Sequence, residues 1–425
     1  MEQTPKANRV HIGFFGRCNA GKSTLINMLT DQPVSLVSEV AGTTTDPVSK
    51  SMEILPLGPV VITDTAGIDD TSELGALRIE KSEEIIKKIN LAVYVLRNDE
   101  APTADDMIWL NTLKQNNVPI ALFINEINAF DSESTHDNDS NGNDTNLNYV
   151  DAYPDLSAIA TVVGSTDFTS NRDRLTLLDL LGGLTPLDVE GEQSLLQGLV
   201  DPGDTIILVC PIDSAAPKGR LILPQVQTIR EILDHKGLAL VCQTEELPTM
   251  LNKLSQKPKL VITDSQAFEA VNALTPADIP LTSFSILMAR FKGKLQDLVT
   301  GVKALNNLKP GARVLISEGC THRRQCDDIG TVKIPMWLKK KGHTDLQLEF
   351  TSGGAFPKDV SGYDLIIHCG ACMLTRREVL RRIDCAVVQG TPIVNYGVLI
   401  ASLHGILERA ISPFMDELDR KGFEC

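Results

Sequence analysis

The octapeptide GRCNAGKS, residues 16–23, fits the spacing G-x-x-x-x-G-K-S and stands between an apolar run, VHIGFF, and a helical pattern, TLINML. The chemistry of that spacing is phosphate binding. Its glycines let backbone N–H groups approach phosphate oxygens, Lys22 sets a point charge between the β- and γ-phosphates, and the Ser23 hydroxyl ligates Mg2+. Two further stretches, GTTTD at 42–46 and DTAG at 64–67, complete the pattern of nucleoside triphosphate hydrolysis. Thr44 brings a hydroxyl to Mg2+, Asp64 holds the same ion from a strand end, and Gly67 meets the γ-phosphate. Lys22, Thr44, Asp64 and Gly67 are therefore the expected catalytic set. Gly16, Asn19, Ala20, Gly21, Lys22, Ser23 and Thr24 are expected to line the nucleotide.

A second chemistry lies near the other end. EGCTHRRQCDDIG at 318–330 and IIHCGACML at 366–374 each follow an apolar run. Cys320 and Cys369 end strand-like segments, and Cys372 follows Cys369 with C-x-x-C spacing, which lets two thiolates reach one metal centre from a tight turn. Three thiolates with neighbouring histidines fit either a zinc site or an iron–sulfur cluster. His368 and His322, beside the cysteines, are the candidates for a fourth position. Cys326 opens the next helical pattern and reads as packed or free, while Arg323 and Arg324 form either a positive rim or a solvated face. Cys18, Cys210, Cys242, Cys385 and Cys425 stand in isolated contexts and read as structural or surface residues.

The elements that must position these groups alternate along the chain. Short β-branched runs (VHIGFF, VVITD, NLAVYVL, PIALFIN, IATVV) are separated by helical patterns, and after GGLTPLDVEG the rhythm restarts with DTIILVC, LALVC and KLVITD. That alternation predicts an α/β chain with mostly parallel sheets. Its 425 residues suit three domains. The expected division is a P-loop domain over 1–185 and two smaller α/β domains over 186–272 and 273–425. Residues 130–148, FDSESTHDNDSNGNDTNLN, have almost nothing to bury and read as a disordered surface insertion.

A formal net charge of −15 argues against a nucleic-acid partner or an anionic membrane surface. Nine cysteines behind a start without a secretory pattern read as a reduced, cytoplasmic chain. The longest apolar region, residues 385–407, is broken by Gln389, Pro392 and Asn395, so no membrane span is expected.

Through GRCNAGKS, GTTTD and DTAG the first 185 residues resemble GTPases of the TrmE/Era type. In that group a hydrophobic residue follows the DxxG glycine, as Ile68 does here, so no glutamine orients the attacking water. The resemblance implies that Asn19 helps hold a K+ ion, whose charge stabilises phosphoryl transfer. Such proteins read guanine with N-K-x-D after a strand. This chain has Asn125, Glu126, Ile127 and Asn128, so one amide oxygen stands where two carboxylate acceptors are usual, and Asp131 is a possible substitute.

The pairing of Cys320-Thr-His322 with His368-Cys-Gly-Ala-Cys372 resembles the C-x-H and H-C-x-x-C signature of the FeFe-hydrogenase maturation GTPases, the HydF family. LPQVQTIREILDHKG and GTPIVNYGVLIASLHGIL carry the same resemblance through the middle and the end of the chain. It implies a 4Fe-4S cluster on Cys320, Cys369 and Cys372, with a labile fourth ligand. It also implies a homodimerising middle domain, and a scaffold that receives a diiron precursor from radical S-adenosylmethionine maturases and passes it to an apo-hydrogenase. The alternative is a GTPase of tRNA modification or ribosome assembly with a structural zinc site.

Overall fold

The computed structural model describes residues 9–30, 48–54, 57–65, 85–125, 152–166, 171–184, 194–212, 221–319 and 328–419. The chain divides into two compact units, Met1–Glu190 and Gly191–Cys425.

The first unit is built on a six-stranded sheet in the order β2-β3-β1-β4-β5-β6. Its strands are β1 (Val10–Phe15), β2 (Val48–Ile54), β3 (Gly58–Asp64), β4 (Leu91–Arg97), β5 (Ile120–Asn125) and β6 (Val162–Thr166). All neighbours run parallel except β2 and β3. The central strands are buried on both faces, as parallel strands with helices on either side must be. Thus Phe14 packs on one face with Leu25 and Leu29 of helix α1 (Lys22–Thr30), and Phe15 packs on the other with Leu110 and Leu113 of α2 (Ala104–Gln115). Each such ring is worth about 2–3 kcal/mol of burial. Strand β6 starts at Val162 rather than at Ile159, because Pro154–Ile159 forms a short helix, α3, with proline in its first turn. Helix α4 (Asn171–Leu184) closes the unit, burying Leu177, Leu178 and Leu181.

The second unit holds two four-stranded, all-parallel sheets. One has the order β10-β9-β7-β8, from β7 (Thr205–Val209), β8 (Leu238–Cys242), β9 (Leu260–Thr263) and β10 (Leu281–Ser283). The other has the order β12-β11-β13-β14, from β11 (Arg313–Glu318), β12 (Gln347–Ser352), β13 (Leu365–His368) and β14 (Ile393–Asn395). Helices α5 (Leu223–Asp234), α6 (Leu247–Lys253) and α7 (Phe268–Leu274) serve the first sheet, and α10 (Ile334–Lys340), α11 (Arg376–Val388) and α12 (Tyr396–Leu403) the second.

Between them run α8 (Phe284–Lys292) and α9 (Leu295–Leu305). Both are buried in one hydrophobic core shared by the two sheets. The middle sheet therefore runs past residue 272, to Ser283, and the chain enters the last sheet only after α9. The short segment LTS completes its strand from a neighbour, β9, and not from its own pattern.

Candidate nucleotide-binding and metal sites

The chain leaves β1 into the loop at Gly16, whose φ is +134°. A Cβ there would overlap the Val95 carbonyl oxygen of β4, so only glycine fits. Asn19 at φ +60° and Gly21 at φ +102° curl the loop back, and α1 begins at Lys22. Helix and loop are joined by the Leu25 N–H on the Gly21 carbonyl at 2.9 Å. The Lys22 ammonium is folded over the loop and donates to the Gly16 and Arg17 carbonyls at 2.8 and 2.7 Å, the position from which a lysine meets a phosphate. Ser23 and Thr24 lie exposed in the first turn.

From the end of β5 the Asn125 amide donates to the Ala20 carbonyl at 3.0 Å, tying a predicted base-binding strand to the phosphate loop. The outer side is fixed by Arg17, which meets Glu100 at 2.8 Å and the buried Asp106 at 3.4 Å. Asp106 in turn accepts from the Tyr94 hydroxyl and the Thr103 N–H, both at 2.8 Å.

Asp64, at the end of β3, has one carboxylate oxygen buried without a hydrogen-bond partner. Burial pushes its pKa up, opposed by the Lys22 charge. A buried orphan carboxylate oxygen near the phosphate loop suits a divalent cation. Thr44, Gly67, Ile68, Glu126, Ile127, Asn128, Asp131 and the 130–148 insertion lie outside the described residues.

At the other site, β11 and β13 are neighbours with Ser317 beside His368, and the Cys369 N–H donates to the Ser317 carbonyl at 3.0 Å. Cys369 thus comes straight off the strand end. Its sulfur accepts from the Gly319 N–H at 3.0 Å and the Ala371 N–H at 3.3 Å. Ala371, at φ +56°, turns the chain between Cys369 and Cys372. Leu374 packs where a Cβ on Gly319 would stand, so this loop and the residue before Cys320 are in contact.

Burial pushes the Cys369 thiol up to about 11, with the two N–H donors pulling the other way. Cys372 is likewise raised by burial and opposed by Lys292. N–H groups aimed at sulfur are the surroundings of a metal-bound thiolate, so the two cysteines fit such a role. Among the described residues no three His, Cys, Asp or Glu side chains form a complete metal site; Cys320, His322, Arg323, Arg324 and Cys326 lie outside them.

His368, the candidate for a fourth position, stands at the end of β13 directly before Cys369. Its Nε2 lies 3.2 Å from Arg382 Nη1, and since a guanidinium only donates, Nε2 is the acceptor. Nδ1 then donates to the Cys369 carbonyl at 2.9 Å. Both ring nitrogens are engaged, and burial first, then the Arg382 charge, lower the pKa to about 4, so the ring is neutral. In this arrangement His368 braces the cysteine loop through both ring nitrogens.

Arg382 is itself fully buried, bonded to Glu378 at 2.7 Å and to the Gly353 carbonyl at 2.6 Å, with its guanidinium over Phe356. Sequence reasoning missed Arg382 and the buried Lys292, because nothing in the local patterns RREVLRRID and MARFKG sets either cation apart from its neighbours. Of the other described cysteines, Cys18 is exposed, and burial raises Cys210 to about 12 and Cys242 to about 11.

Residues 296–413 match the hydrogen maturase F tetramerization domain, residues 195–293 the hydrogen maturase F dimerization domain, and residues 11–126 the 50S ribosome-binding GTPase family. Among curated relatives, tRNA modification GTPase MnmE of Staphylococcus epidermidis is 33% identical over 108 residues, 25% of this chain and 23% of that protein. MnmE of Heliobacterium modesticaldum is 37% identical over 99 residues, 23% of this chain and 21% of that protein. The chain thus spans about a quarter of the length of these relatives. A crystal structure of Aquifex aeolicus Era bound to GDP.AlF4− aligns with 58% of this chain and 98% of that one, at 19% identity and a TM-score of 0.33.

Proposed function

Because the chain belongs to the HydF-type hydrogenase maturase GTPases, with a GTPase domain followed by that family's dimerization and tetramerization domains, we propose that it is a GTP-hydrolysing scaffold for hydrogenase maturation. It holds a 4Fe-4S cluster on Cys320, Cys369 and Cys372, takes up a diiron precursor as cargo, and delivers it to an apo FeFe hydrogenase. The observation that carries this reading is the Cys369–Cys372 loop. It stands at a strand end inside the tetramerization domain, beside the residue that precedes Cys320, with two N–H groups already on one sulfur.

Three thiolates would leave one iron of such a cluster without a cysteine, and the cluster would supply an exchangeable position there. The chain's own residues do the rest. Backbone N–H groups on Cys369 favour the thiolate, and His368 fixes the loop through the Cys369 carbonyl. In the GTPase domain Lys22 and the loop amides bind the phosphates. Ser23, Thr44 and Asp64 hold Mg2+, Gly67 meets the γ-phosphate, and Asn19 takes part in holding K+. Asn125 and Asn128 are the residues assigned to the base.

Homodimerisation belongs to the middle domain, whose edge strand β8 leaves Leu238 and Val241 about half exposed. Radical S-adenosylmethionine maturases and the apo-hydrogenase are the partners, met in the cytoplasm. No helix among the described residues is long and apolar enough to cross a membrane. The rival reading, a tRNA- or ribosome-directed GTPase with structural zinc, draws only on relatives that match about a quarter of the chain.

Anaerobic purification tests the choice. Brown protein with stoichiometric iron and an EPR signal on reduction is expected, whereas colourless protein carrying zinc would overturn the scaffold.

A further inference from the structure

The last residue of α8, Lys292, is a charged side chain only 1% exposed. Its ammonium donates to three carbonyls of the cysteine loop: Leu374 at 2.7 Å, Cys372 at 3.0 Å and Ala371 at 3.4 Å. Among the described residues no carboxylate lies within ion-pair distance of it. A buried ammonium met only by neutral oxygens is poorly compensated, and it persists where an anion faces it.

The helix that presents it is held from several sides. Ser283 caps its start by accepting from the Ile286 N–H. The Asn395 amide donates to the Ser285 carbonyl at 2.9 Å, and the Gly397 N–H to the Ser285 hydroxyl at 3.1 Å. At its end Arg376 donates to the Phe291 carbonyl at 3.2 Å. Lys292 is therefore delivered to the loop by a rigid element. It closes the segment matched to the dimerization domain, while every carbonyl it meets lies in the tetramerization domain.

We propose that Lys292 is a positioning residue for the metal centre: it clamps the loop carrying Cys369 and Cys372, and its charge offsets the negative charge of a thiolate-held cluster. The charge half rests on the cluster reading above, and the clamp half does not. A helix in one domain thereby sets both the shape and the electron affinity of a site in the next. Removing the cation leaves the reduced, more negative form of the cluster less favoured.

The test uses full-length protein and the variants Lys292→Met, which loses charge and donors, and Lys292→Arg, which keeps both. In iron-free protein, amide exchange over residues 369–374 is expected to be at least tenfold faster in Lys292→Met and near the parent rate in Lys292→Arg. In anaerobic, iron-loaded protein poised at the parent's midpoint, the reduced-to-oxidised ratio read by EPR is expected to fall about tenfold in Lys292→Met, equivalent to about 59 mV for one electron.

Unchanged exchange overturns the clamp, and an unchanged ratio, or an Arg variant that behaves like Met, overturns the charge role. If Lys292→Met does not fold by circular dichroism, Lys292→Gln, which keeps a donor and loses the charge, takes its place with the same shift in the ratio expected. Parent protein that holds no iron sinks the proposed function instead, and leaves the clamp to stand or fall on exchange alone.

Discussion

At the scale of single residues, the cysteine loop separates groups that hold metal from groups that hold the loop. Cys369→Ser and Cys372→Ser are each expected to strip most iron from anaerobically prepared protein, because a hydroxyl is a poor substitute for a thiolate on iron. His368→Ala removes a brace and leaves the three thiolates in place, so most iron should remain. The loss should appear as a lower melting point, since Arg382 is left with an unmet buried donor worth about 1–3 kcal/mol. Iron loss in His368→Ala equal to that in Cys369→Ser would return His368 to the ligand set. In the GTPase domain, hydrolysis is expected to be faster in K+ than in Na+, because Ile68 offers no amide to orient water and Asn19 is set at φ +60° on the rim of the phosphate loop. Equal rates in the two salts would remove that role.

Among the elements, positions where backbones meet are the least tolerant. Gly301 of α9 approaches β14 so closely that a Cβ would overlap the Ile393 carbonyl, and a carbonyl cannot swing aside as a side chain would. Gly301→Ala is thus expected to lower stability by about 1–3 kcal/mol in urea titrations of the iron-free protein. No loss would mean that helix and strand can part freely. The central strands β1, β4, β5, β11 and β13 were legible from sequence as continuous apolar runs. Three edge strands of the second unit were not: β12, QLEFTS, is mostly exposed, and β10 and β14 have three residues each, so their pairing comes from neighbours and not from any pattern of their own.

Across the whole molecule, the phosphate loop lies in the unit Met1–Glu190 and Cys369 and Cys372 in the unit Gly191–Cys425. Lys22→Ala is accordingly expected to abolish GTP hydrolysis while iron content stays at the parent level, measured on one preparation. Loss of iron in that variant would mean that the two chemistries are not modular. The sequence by itself determined the phosphate loop, the paired cysteine knots and the α/β rhythm, because each is a local pattern: fixed spacings, glycines at turns and apolar runs of strand length. Only the tertiary structure decided that His368 gives both nitrogens to Arg382 and the Cys369 carbonyl, that α8 carries a buried ammonium to the cysteine loop, and that the last two sheets share one core. Those facts depend on side chains from segments far apart in sequence, where a lysine or arginine on a helix looks the same whether it faces water or the interior.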